Sequence, residues 1–87
     1  MTYTYTDHAK RMMKARKISN DDVKMAIERG ELEFKKKDER GRGTEYYHSL
    51  ELKEPFPRKI VVGWTETNGK ITVITAYEIK RKKRWTL

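Results

Sequence analysis

The hydrophobic pattern changes once along the chain, at Gly30. Before it, apolar residues recur every three or four positions: Ala9, Met12 and Met13, then Val23, Ala26 and Ile27. That spacing lines one face of a helix. It predicts a first helix from about His8 to Arg16, with Asp7 as its cap, and a second opened by Ser19. Asp22 stands three positions after Ser19, where an acid completes a capping box. Gly30 is the expected stop, since glycine accepts the left-handed conformation after a helix. Ahead of the first helix, Thr2-Tyr3-Thr4-Tyr5-Thr6 is β-branched and aromatic and suits a short edge strand.

Beyond Gly30 the period is two. In Glu31-Leu32-Glu33-Phe34-Lys35, apolar and charged residues alternate, the pattern of a half-buried strand. Residues 38–43 read as a polar loop. Residues 44–52 form a second strand, with Tyr46, His48, Leu50 and Leu52 on one face. Pro55 and Pro57 force a loop, and residues 59–66 and 71–79 make two more strands. Asn68-Gly69 between them is a hairpin signal, because a type I′ turn needs two positive φ angles. With Thr67 opposite Lys70, the register sets Trp64 against Val73, Val62 against Thr75 and Ile60 against Tyr77. The bulkier face (Ile60, Val62, Trp64, Ile71, Val73, Ile79) is expected to pack on the helices. Val61, Gly63, Ile74 and Ala76 take the other. The expected architecture is α+β: two N-terminal helices on a four-stranded antiparallel meander, preceded by the short edge strand.

Eighty-seven residues suit one domain with a thin core. The net charge of +8 and a pI near 9.8 change the picture more. Five consecutive cations, Lys80, Arg81, Lys82, Lys83 and Arg84, open a basic tail over residues 80–87. Lysines and arginines release counterions from nucleic acid, so the tail is a candidate phosphate-binding segment. Its other readings are a solubilising end or a membrane-surface patch. The chain has no cysteine, which removes disulfides and thiolate metal sites and suits a reducing cytoplasm. No apolar run has the length of a secretory leader or a membrane span. Two distant histidines match no zinc spacing, and no Walker, dinucleotide or nucleophile-elbow motif occurs. Neither a metal nor a cofactor is expected.

Four places carry candidate chemistry. His8 and Arg11 fall three apart on the first helix and so are neighbours. They either contact a phosphate and move a proton or are merely solvated. Arg16 either lays its stem along the core edge or offers its planar fork to a phosphate. His48, on a face with leucines, reads as a hydrogen-bonded histidine at the core edge. Tyr77 either stacks on a base or donates its phenolic proton, or simply packs opposite Ile60.

The segment His8-Ala9-Lys10-Arg11-Met12-Met13-Lys14-Ala15-Arg16-Lys17-Ile18-Ser19, with Ile74-Thr75-Ala76-Tyr77 near the other end, resembles a small family of unknown function. That family is thought to be related to the RelE/BrnT-like toxins of bacterial toxin–antitoxin pairs. The resemblance implies a helix-then-sheet, metal-independent endoribonuclease in which an RNA 2′-hydroxyl attacks the adjacent phosphate. Carried over by position, it makes His8 the proton-transfer group, Arg11 a phosphate contact and Tyr77 the group that orients or protonates the leaving oxygen. The implied partners are RNA, including ribosome-bound mRNA, and an acidic antitoxin protein. Two alternatives stand beside this: a non-enzymatic RNA- or DNA-binding module on the same basic surface, and a module steered by charge to an acidic protein.

Overall fold

In the computed structural model, which describes residues 2–37, 43–54 and 56–79, the chain runs β1 (Thr2–Tyr5), α1 (Asp7–Arg16), α2 (Asn20–Arg29), β2 (Glu31–Lys37), β3 (Thr44–Leu52), β4 (Arg58–Thr67) and β5 (Lys70–Ile79). The class is α+β, but the sheet is not a four-stranded antiparallel meander. It has five strands in the order β1-β5-β4-β3-β2, and β1 runs parallel to β5. The expected N-terminal edge strand forms: β1 lies at the edge of the sheet and pairs its amides and carbonyls with those of β5.

α1 starts one residue earlier than the acid at its head suggests. Thr6, not Asp7, is the N-cap, accepting from the Ala9 amide at 3.0 Å. Its hydroxyl also donates to the Ile74 carbonyl at 3.0 Å, so one side chain caps the helix and ties it to β5. α2 has the expected capping box: the Ser19 hydroxyl accepts from the Asp22 amide and the Asp22 carboxylate from the Ser19 amide, each at 3.0 Å. Gly30 ends α2 for a different reason from the one expected. Its φ is −75°, open to any residue. A β-carbon there would stand 2.3 Å from the Ser49 carbonyl oxygen and 2.4 Å from that of Ala26, so glycine is needed for close approach of α2 to β3.

Both helices lie on one face of the sheet, α1 on β5 and α2 on β3 and β4. Ala9, Met13, Ile18, Val23 and Ala26 meet Ile60, Val62, Ile71, Val73 and Ala76 in the core. The bulkier face of β4 is thus the covered one, as its side chains predict. Arg58 closes this layer, its side chain 2% exposed. It donates to the Arg16 carbonyl and, at 2.6 Å, to the Lys17 carbonyl, and pairs with Glu78 at 3.6 Å. A guanidinium fork thereby satisfies the carbonyl end of α1.

Two β-bulges revise the predicted register. Asn68 (φ 51°) and Gly69 (φ 79°) form the expected turn, and Thr67–Lys70 and Trp64–Val73 pair as predicted. Then Ile74 is inserted, and Gly63 faces Thr75, Val62 faces Ala76 and Val61 faces Tyr77. Ala76 moves to the helix face, and Thr75, Tyr77 and Ile79, the last expected among the covered residues, to the other. In β2, Glu33 is the extra residue between Leu32, opposite His48, and Phe34, opposite Tyr47. Leu32 and Phe34 therefore point to opposite faces, and β2 is exposed along its whole length rather than half buried.

Candidate functional site on the open face of the sheet

The face away from the helices carries two rows of side chains. The first crosses Phe34, Tyr47, Gly63 and Thr75, following the pairs β2–β3, β3–β4 and β4–β5. The second crosses Ser49, Val61 and Tyr77, with Glu33 of the bulge at its head. Each bulge contributes by turning side chains toward this face that strict alternation would send away.

At one end stands His8. Its Nε2 lies 3.2 Å from the Thr75 hydroxyl, with the donor set by the ring tautomer. The contact arises because β1 stops pairing with β5 at Val73, and the chain turns into α1 beside the next residues of β5. Tyr77 is two positions beyond Thr75 on the same face, a step of roughly 7 Å along a strand. Burial first, then the nearby Glu33 carboxylate, raise the Tyr77 pKa above its ordinary value. Its phenol therefore keeps its proton at neutral pH and is a hydrogen-bond donor there.

At the other end is an ionic cluster. The Glu33 Oε2 accepts from the Ser49 hydroxyl at 2.5 Å and from the Lys59 ammonium at 3.3 Å. The Ser49 hydrogen bond, followed by Lys59, lowers the Glu33 pKa, so the carboxylate is ionised at neutral pH. Beside it the Phe34 ring stacks on Tyr47, centroids 4.4 Å apart and planes 10° apart. Tyr47 donates to Glu45 at 2.8 Å, and the Lys36 ammonium lies 5.6 Å from the Tyr47 ring centroid. Phe34 stays 46% exposed, so its outer side faces solvent.

Of the residues singled out from sequence, His8 and Tyr77 come together on this face. Tyr77 does so only because of the β5 bulge; it pairs with Val61, not Ile60. Arg11 is exposed one turn after His8. Arg16 is exposed at the far end of α1, roughly 12 Å along the axis from His8, and does not join them. Lys80, Arg81, Lys82, Lys83 and Arg84 lie outside the described residues. His48 is the core-edge histidine its strand predicts. Its Nδ1 accepts from the Trp64 indole at 2.9 Å, and burial lowers its pKa, as a neutral acceptor requires. Glu33, Phe34, Ser49 and Lys59 carry no motif in the sequence. Their convergence depends on a bulge that no glycine, proline or break in alternation announces.

Among the described residues, no three His, Asp or Glu side chains gather as a metal site would require, and no helix is long and apolar enough to cross a membrane. Compared with known proteins, residues 5–82 match a family described as a domain of unknown function (DUF4258). The chain belongs to the DUF4258 family. No curated protein and no solved structure matches it. The DUF4258 match takes in both helices and the strands β2 to β5. It therefore includes His8, Arg11, Glu33, Ser49, Lys59 and Tyr77, whereas Arg84 lies beyond it.

Proposed function

We propose that this DUF4258 domain is a toxin-like, metal-independent endoribonuclease that works on the open face of its sheet. The observation that carries the reading is the His8–Thr75 contact, which brings a histidine to the same face as a protonated tyrosine two residues away. His8 takes the proton of an RNA 2′-hydroxyl as that oxygen attacks the adjacent phosphorus. Tyr77 gives its proton to the 5′ oxygen as the P–O5′ bond breaks. The products are a 2′,3′-cyclic phosphate and a 5′-hydroxyl end. Arg11 supplies positive charge where the phosphorane forms, the kind of stabilisation that dominates such reactions. The net charge of +8 steers RNA to the domain and would steer an acidic antitoxin equally well.

The test is incubation of purified protein with RNA in the presence of a chelator, with and without ribosomes. Cleavage that leaves cyclic phosphate ends, and that stops when the attacking 2′-hydroxyl is replaced by hydrogen, is the expected result. Intact RNA under both conditions would end the enzyme reading. A second reading, RNA binding without cleavage, draws on the same face and is favoured by the exposed Phe34 ring beside Lys36.

A further inference from the structure

Glu33 and Phe34 are consecutive, yet both side chains lie on the open face. Glu33 reaches Ser49 and Lys59, and Phe34 covers Tyr47. Tyr47 and Ser49 are two residues apart on β3, so the aromatic stack and the ionic pair stand roughly 7 Å from each other. The two donors converge on one carboxylate oxygen, the arrangement that a phosphate oxygen also satisfies. Ser49 and Lys59 also line an open cleft of about 230 Å³, where Arg29 and Lys59 are set against the carboxylates of Glu31 and Glu51. The two donors are thus open to solvent on that side.

We propose that the β2 bulge builds a subsite for one nucleotide of single-stranded RNA. Its base stacks on the outer side of Phe34, and its phosphate takes the place of the Glu33 carboxylate on Ser49 and Lys59. Glu33 is an internal stand-in for the ligand. It holds the two donors in position in the free protein and competes with the phosphate. The subsite rests on the RNA-binding reading above; its stacking ring on β2 lies three strands from the Thr75 that His8 touches, about 14 Å at ordinary strand spacing, while Ser49 and Lys59 on β3 and β4 lie nearer. It would therefore engage a nucleotide flanking the one that is cut.

The probe is a 2′-O-methylated RNA oligomer, which binds but lacks the attacking hydroxyl. Phe34→Ala should weaken its binding roughly tenfold, within the range for one base–aromatic stack. Phe34→Leu should weaken it too, because an aliphatic side chain has no ring face, and Phe34→Trp should restore it. Glu33→Gln should tighten binding roughly fivefold more than Glu66→Gln, which removes the same charge from the exposed far end of β4. It should also steepen the salt dependence by about 0.7, the signature of one added phosphate contact on a single strand. Adding Lys59→Met to Glu33→Gln should cancel both gains. Both the Phe34 and the Glu33 effects are required. If wild-type protein binds the oligomer but either effect is missing, the subsite is overturned and the RNA reading stands. If wild-type protein does not bind at low salt, both fall together. Melting curves on each variant separate these outcomes from misfolding, and exposed Phe34 and Glu33 are positions where substitution leaves the core intact.

Discussion

The ring of Tyr47 covers Gly63: a β-carbon at position 63 would stand 2.5 Å from the tyrosine Cε2 and 3.0 Å from the Thr75 methyl. Tyr47 is itself buried beneath Phe34. The glycine is what lets an aromatic pair lie close on the sheet.

Gly63→Ala should therefore destabilise the domain by about 1–3 kcal/mol, the ordinary range for overpacking a filled site. Urea unfolding measures it. The fluorescence of the Tyr47 environment should change as well, since the ring has to lift. An alanine tolerated at wild-type stability would show that Tyr47 moves aside freely.

Arg58, at the start of β4, joins the end of α1 to the end of β5, and its loss strands several partners at once. Arg58→Met should cost roughly 3 kcal/mol, as when one member of a buried pair is removed. The carbonyls of Arg16 and Lys17 and the Glu78 carboxylate would all lose a donor. Glu78→Gln should cost roughly 1 kcal/mol, because Arg58 keeps both carbonyls. Equal losses in the two variants would shift the weight to the Arg58–Glu78 pair.

The Tyr5 hydroxyl is buried and has no hydrogen-bond partner among the described residues. Tyr5→Phe should raise stability at pH 7 by about 1 kcal/mol, by removing an unsatisfied polar group. Burial, then Asp21, raise the Tyr5 pKa, and burial leads in raising those of Tyr3 and Tyr77. A phenol whose pKa is higher folded than unfolded stabilises fully below pH 10 and loses that contribution as pH climbs through the folded value. Thermal melts should accordingly fall above pH 10 in the wild type, and less steeply in Tyr5→Phe. A lower melting temperature for Tyr5→Phe at pH 7 would reveal a partner for the hydroxyl.

Kinetics of variants separate the roles proposed for the three residues near β5. His8→Ala should lower cleavage by roughly 10²–10⁴-fold while leaving affinity for uncleavable RNA unchanged. Tyr77→Phe should also lower the rate alone. Arg11→Ala should weaken binding and rate together, since a cation is felt in both the ground and transition states. A His8→Ala enzyme working at full speed would move proton transfer elsewhere on the face.

The elements were legible in the sequence to within a residue or two, because each has a clean period and a chemical start or stop: Ser19 with Asp22, Asn68 with Gly69. The site was legible only in part. His8 and Arg11 are helix neighbours by spacing alone. Alternation counted outward from the turn puts Tyr77 opposite Ile60, because it assumes an unbroken ladder; the bulge puts it opposite Val61. The insertion at Ile74 sits in Ile71-Thr72-Val73-Ile74-Thr75, where every side chain is β-branched and none marks the break. The bulge at Glu33 is hidden for the opposite reason, since charged and apolar residues go on alternating straight through it. The parallel pairing of β1 is equally silent, being a property of where β5 ends up and not of the residues of β1.

That parallel pairing sets the order in which the molecule can be finished. Thr6 and Ile74, joined through the α1 cap, are 68 positions apart, and His8 and Thr75 are 67 apart. Among the described strands, the first to be synthesised has the last as its partner. Until β5 has been synthesised, β1 has nothing to pair with and α1 lacks its tie to the sheet. Such long-range closure slows folding, because the loop entropy between β1 and β5 has to be met before their contacts form. An incomplete nascent chain cannot hold His8 against Thr75, so the pair comes into being only when translation of the sheet is complete.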